Sequence, residues 1–262
     1  MAYTRWKWLL LAVALCQPAQ ARDALSFAGK LGGRYPIQLL VWFDANAAPT
    51  QAYGAYWYDN KNQPVLLSGT VQAKDGGEWL DLRDDSGDLA RQEVFAGVLG
   101  AKTYNGEWSV GDSDRTGRYP ERRKRLKFAL AASNSSVSDL SARINCGAAR
   151  STTVTLESLS LEIEAGKANA LRLAASAKTA GGLQRCEPRL APLRSSVAGG
   201  LLQVEAANVA PACRYALQRS GDYLLLRPDG VDGCGCGPNF GPPQVLVHLA
   251  RRSCHIHYPD GN

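Results

Sequence analysis

Apolar residues recur at every second position along much of this chain, in runs too short for any regular element except a strand. In 36-PIQLLVWF-43, Ile37, Leu39 and Val41 fall on one side of an extended backbone. The alternation returns in 53-YGAYWYD-59, 64-PVLLSGTVQA-73, 78-EWLDLRD-84, 93-EVFAGVLG-100, 104-YNGEWSV-110 and 125-RLKFALA-131. Turn residues (Gly, Asn, Asp, Pro) bound these runs, as expected of antiparallel strands. Seven such runs with no convincing helix predict a barrel or a sandwich. Gly54, Gly69, Gly97 and Gly106 lie inside the runs and are expected to mark bends or bulges.

The second half reads the same way. In 154-VTLESLSLEIEAG-166, Leu159, Leu161 and Ile163 share one face and Ser160, Glu162 and Glu164 the other. Further strands are expected at 200-GLLQVEAA-207, 212-ACRYALQR-219, 222-DYLLLRP-228 and 243-PQVLVHLA-250. The alanine-rich 166-GKANALRLAASAKTAGG-182 allows a helix, but the alternation of Leu171 and Leu173 favours a strand. Between the halves lies 131-AASNSSVSDLS-141, Ser-rich and almost without apolar periodicity, so residues 131–143 read as a linker.

Residues 1–21, MAYTRWKWLLLAVALCQPAQA, carry Arg5 and Lys7, then an apolar run, then Ala19-Gln20-Ala21. That order is a secretory signal peptide, and the run is too short to span a bilayer. Leu15 is too large to precede a lipidated Cys16. The expected mature chain starts at Arg22 and is periplasmic or secreted from a bacterium, not membrane-spanning. Its formal charge falls from +6 to +4 with the loss of Arg5 and Lys7.

Cleavage removes Cys16 and leaves Cys146, Cys186, Cys213, Cys234, Cys236 and Cys254, all in the second half. The expected organisation is therefore a cysteine-free β domain at 22–130 and a cysteine-rich β domain at 144–262: mainly β, antiparallel, the second domain stapled by disulfides. The stretch 234-CGCGPNFGPPQVLVHLARRSCHIH-257 allows two rivals. A metal site could draw on Cys234, Cys236, Cys254, His255 and His257, but the Cys-x-Cys spacing is poor for zinc. Redox cycling prefers Cys-x-x-Cys at a helix start, which Gly235, Gly237 and Pro238 disfavour. The structural reading pairs Cys146 with Cys186, Cys213 with one of Cys234 or Cys236, and Cys254 with the other, and calls for no metal and no cofactor.

The order 52-AYGAYWYD-59, 66-LLSG-69, 79-WLDLRD-84, 95-FAG-97 and 104-YNGEW-108 resembles a module of uncharacterised exported bacterial β-rich proteins, with the pattern G-x-Y-x-Y to F-x-G-x-W. The resemblance covers residues 35–130 and departs at Arg83, where the module often carries an acid. It implies a small β domain and no activity.

Two features suggest binding. In 115-RTGRYPERRKRLKF-128 seven residues are Lys or Arg, including Arg122, Arg123, Lys124 and Arg125. Such a run is either a solvated loop and edge strand or a patch for an anionic partner. An acidic face of an envelope or secreted protein, or an anionic envelope polymer, fits better than nucleic acid. Among the aromatics, Tyr56 and Tyr58 share a face and Trp57 takes the other, so one set fills the core and the other, Trp57 being the candidate, is left for binding. Catalytic equipment is poor. The three His all lie near the C-terminus, and no G-x-S-x-G, H-E-x-x-H or P-loop pattern occurs. Asp81, Asp84, Asp85 and Asp88 lack EF-hand spacing. The expected function is an exported non-catalytic binding protein, an inhibitor or immunity protein against an envelope-directed enzyme. The alternative is a glycan-active hydrolase using a carboxylate pair.

Overall fold

The computed structural model describes residues 24–44, 50–59, 61, 63–74, 77–84, 92–111, 124–133, 135–151, 154–179, 182–188, 190, 192–206, 213–229, 234 and 243–257. The expected signal peptide lies outside them. Among the described residues every regular element is a strand, and no helix is long and apolar enough to cross a membrane. The chain divides into two units, Met1–Ala132 and Ser133–Asn262.

The first unit is a closed eight-stranded barrel: β1 (Leu25–Leu31), β2 (Tyr35–Asp44), β3 (Thr50–Tyr58), β4 (Val65–Lys74), β5 (Gly77–Asp84), β6 (Glu93–Leu99), β7 (Thr103–Val110) and β8 (Lys124–Ala132). Each strand pairs antiparallel with the next. Closure comes from β1 against β8, with Phe27 opposite Ala132 and Leu31 opposite Phe128. Inward positions build one apolar core, including Phe27, Leu39, Tyr56, Phe95, Tyr104 and Phe128. The buried Tyr104 hydroxyl donates to the Leu80 carbonyl at 3.1 Å, so the ring fills the core without leaving a polar atom unmet.

Of the expected bends or bulges, the bulges are absent, because no ladder of the barrel shifts register at Gly54, Gly69, Gly97 or Gly106. These glycines take inward positions where backbones come close. Gly97 lies opposite Gly106, and a Cβ on either would stand 2.7 Å from the other's Cα.

The second unit holds two sheets. One contains β9 (Ala142–Cys146), β10 (Ala149–Arg150), β11 (Val154–Glu164), β12 (Lys167–Thr179) and β13 (Gly182–Cys186). The other runs β14 (Leu193–Ala198), β15 (Leu201–Ala206), β16 (Arg214–Ser220), β17 (Tyr223–Pro228), β18 (Gln244–His248) and β19 (Ser253–His257). Leu159, Leu161 and Leu173 of the first sheet share a core with Leu217, Leu224 and Val245 of the second, which makes a sandwich. A register shift between Leu156 and Ser158 keeps Val154 and Leu156 buried alongside Leu159, although simple alternation would separate them. The alanine-rich stretch is the long strand β12.

The boundary between the two units falls inside the expected linker at 131–143, but the described residues of that stretch are not a featureless tether. β8 runs through Ala132, β9 starts at Ala142, and between them Val137 and Leu140 are buried in the sandwich core. The serines serve turns: the Ser138 amide donates to Ser136 Oγ at 3.1 Å, and the Gly221 amide to Ser135 Oγ at 3.1 Å.

The disulfides meet the expectation at Cys213, which takes Cys234, and depart from it at Cys146. Cys146 is bonded to Cys254, with their Cα atoms 5.8 Å apart, and so joins β9 of one sheet to β19 of the other. Cys213 is bonded to Cys234, Cα to Cα 4.7 Å, and Cys186 is disulfide-bonded as well. A Cys146–Cys186 bond is excluded by the sheet order, because β11 and β12 stand between β9 and β13. Three strand spacings make about 14 Å, far beyond disulfide reach. Cys234 has φ +52°, in the left-handed region that a non-glycine residue seldom adopts. These bonds fit an oxidising compartment.

Candidate binding end of the barrel

The two ends of the barrel differ. At the end where β2 finishes and β3 begins, Phe43, Ala52, Val71 and Leu99 are buried and close the interior. At the other end the inward positions are more open. Tyr35 is 38% exposed, and Tyr58, Val65, Val110 and Leu126 are only half-buried on the edge of the core. Alternation places Asp84 and Glu93 there too: Arg83 pairs with Val94, so the two carboxylates come next on adjacent strand ends.

Glu93 is the organised polar group of this end. Its Oε2 accepts from the Tyr56 hydroxyl and, at 2.9 Å, from Trp108 Nε1. Burial first, and then the Glu93 carboxylate, hold the Tyr56 hydroxyl far above its ordinary range. The same causes in the same order raise Tyr58, whose neighbours also include Tyr35. Both tyrosines are therefore neutral hydroxyls at any physiological pH.

Cations surround the rings. Lys124 Nζ lies 5.6 Å and Arg34 Cζ 5.7 Å from the centre of the Tyr35 ring, and Lys61 Nζ lies 5.9 Å from that of Tyr58. All three residues are exposed. Each contact is worth only about 0.5–1 kcal/mol in water, so the charges remain available to a partner.

Of the residues expected to bind, Lys124 stands at this open end. Arg125 follows it on β8 and forms an exposed ion pair with Glu107 at 3.6 Å. Arg122 and Arg123 lie outside the described residues. Trp57 is not an open platform: although it alternates with the inward Tyr56, it is only 4% exposed. The apolar neighbours that share its side of β2 and β3, Leu40, Trp42, Tyr53 and Ala55, are buried too, and an indole in such company is withdrawn from water.

The metal and redox rivals lose two of their thiols, since Cys234 and Cys254 are bonded to Cys213 and Cys146, while Cys236 lies outside the described residues. Among the described residues no three His, Cys, Asp or Glu side chains form a metal-ligand set. Asp81 is held by Arg83 at 3.0 Å, while Asp85 and Asp88 lie outside the described residues.

His255 is instead a partly buried imidazole whose Nε2 has no hydrogen-bond partner among the described residues. Burial, and secondly His248, lower its pKa below the ordinary 6.5. The sign follows from linkage: below 6.5 the unfolded chain takes up a proton that the folded one resists. The stability this group contributes is complete above the unfolded value and drains away as pH falls toward the folded one. The urea midpoint of the second unit should drop between pH 7.5 and 5.5, and His255→Leu should flatten that drop. An equal drop in the variant would remove His255 as its source.

Comparisons with protein-family models, with curated proteins and with solved structures return no match.

Proposed function

We propose that the chain is an exported, non-catalytic binding protein of the bacterial envelope, periplasmic or secreted, and that the open, basic end of its barrel is the binding end. The observation that supports this is the asymmetry of the barrel: apolar side chains close one end, while the aromatic rings, the held carboxylate and Arg34, Lys61 and Lys124 gather at the other. An inhibitor or immunity protein against an envelope-directed enzyme is the form of this function that calls for no chemistry of its own. Its partner is anionic: an acidic protein face or an acidic envelope polymer.

The test is a pull-down from envelope extract at low and high salt. Arg122→Ser, Arg123→Ser, Lys124→Ser and Arg125→Ser together should weaken capture steeply at low salt and leave the melting curve unchanged. At 1 M salt the difference should vanish, since screening there acts within about 3 Å. A loss that ignores salt would argue against an electrostatic contact.

One observation favours the second reading, a glycan-active hydrolase. Asp84 and Glu93 stand on adjacent strand ends at the open mouth, and such a hydrolase needs two carboxylates at one site. Turnover of an envelope polysaccharide that is abolished by Asp84→Asn would establish it. Glu93, however, already accepts from both Tyr56 and Trp108, which suits a fixed acceptor better than a proton donor.

A further inference from the structure

The binding reading leaves the ligand's chemistry open, and the open end restricts it. Both hydrogen bonds to Glu93 land on Oε2, so Oε1 is left without a donor among the described residues. A carboxylate oxygen can accept further hydrogen bonds. A group seated at this end can therefore bring donors to an inner acceptor. Beside that acceptor lies Tyr58, and beside Tyr58 lies Tyr35, aromatic rings that offer flat apolar faces. Over the rings lie the exposed heads of Lys124, Arg34 and Lys61, long side chains that call for negative charge and can swing off a ring face toward it.

An acidic peptide meets the outer requirement and has only its backbone amides to donate. Its side chains are acceptors and would bring carboxylates up to Glu93, a like-charge approach that costs energy. A neutral sugar meets only the inner one and leaves the cations unused. A basic side chain suits Glu93 but must pass three cations. A sugar acid meets both. Its hydroxyls donate, its C–H face lies flat on an aromatic ring, and its carboxylate sits a few bonds away from the hydroxyls.

We propose that the open end of the barrel holds a sugar unit of an anionic glycan, with hydroxyls donated to Glu93 Oε1, the C–H face on Tyr35 and Tyr58, and the acid group on Lys124 and Arg34. This rests on the binding reading. An inhibitor that holds such a polymer is stationed where a polymer-cutting enzyme works.

The test is calorimetric titration of the full-length protein with trigalacturonate, maltotriose and hexaglutamate. Trigalacturonate should bind, more weakly as salt rises, and more tightly than either of the others. Tyr35→Ala and the pair Lys124→Ser with Arg34→Ser change exposed residues, and each should weaken it by roughly tenfold. Glu93→Gln should weaken it further, with Trp108 fluorescence and the melting curve checking that the fold survives. Hexaglutamate binding as tightly as trigalacturonate, maltotriose binding equally well, or no response to Tyr35→Ala would each overturn the proposal. If trigalacturonate fails while an acidic protein is captured through Lys124 and Arg125, the glycan inference falls and the binding reading stands. If both fail, both fall.

Discussion

Replacing Cys146 by Ser should unfold the second unit at physiological temperature or bring it close to doing so, while the barrel is left intact. The Cys146–Cys254 bond closes a loop with a sequence separation of 108 residues. In the chain-entropy picture a loop of that size stabilises by about 4–5 kcal/mol, a large share of the roughly 5–15 kcal/mol that holds a typical domain. The bond also ties one sheet of the sandwich to the other, so its loss loosens both layers over their shared core. Cys213–Cys234 spans only 21 residues, and its removal should cost less, about 3 kcal/mol. The two units can be read separately, because residues 133–262 contain no Trp whereas Trp42, Trp57, Trp79 and Trp108 all lie in the barrel. Far-ultraviolet dichroism should show a melting step lost or lowered by about 10–20 °C, with the tryptophan-detected step unmoved. A single step that shifts in both signals would show that the units do not unfold separately.

One weak point of the barrel is the contact between Gly97 and Gly106. In Gly97→Ala the new Cβ would stand 2.7 Å from the Gly106 Cα and would also press on the Asn105 carbonyl. Both obstacles are backbone, so no rotamer change relieves them. Overpacking costs about 1–3 kcal/mol where side chains can yield, and this substitution belongs at or above the top of that range. The tryptophan-detected melting temperature should fall by about 10 °C or more. Gly77→Ala is the control, since its Cβ would meet nothing closer than Val98 Cγ1 at 3.7 Å. Equal behaviour of the two variants would show that the strands can part at no cost.

The strands were legible because a filled barrel demands apolar residues on one face of every strand, and residues such as Leu39, Tyr56, Leu82 and Phe95 supply them in alternation. β1 escaped notice although Leu25, Phe27 and Leu31 alternate, because Gly29 interrupts the row. Its role as the closing strand depends on a partner about 100 residues away. The edge strand β14 was missed for a different reason: most of its residues are exposed, and only pairing with β15 makes it a strand. Disulfide partners depend on the same distant order. Cys146 and Cys186 are near in sequence, yet two strands separate theirs, while Cys254 arrives at Cys146 from the other sheet. Of the candidate site, the basic residues were visible as a run. Glu93 was not singled out, although its signal was present: a charge at the inward position of a strand whose next inward residue is Phe95. The hydrogen bonds from Tyr56 and Trp108 join three strands that local sequence cannot relate.

The pairing of β1 with β8 also sets a timetable. Phe27 has no partner on β8 until Ala132 exists, and Leu31 none until Phe128 does. Contacts between chain segments so far apart form slowly, because a long loop must be closed before any of them is gained. A chain emerging from the ribosome can pair neighbouring hairpins early, but the ring that buries its core waits for the last strand. For a protein that we propose is threaded across a membrane, that delay is an advantage: the polypeptide stays pliable during transit and acquires its rigid form only after arrival.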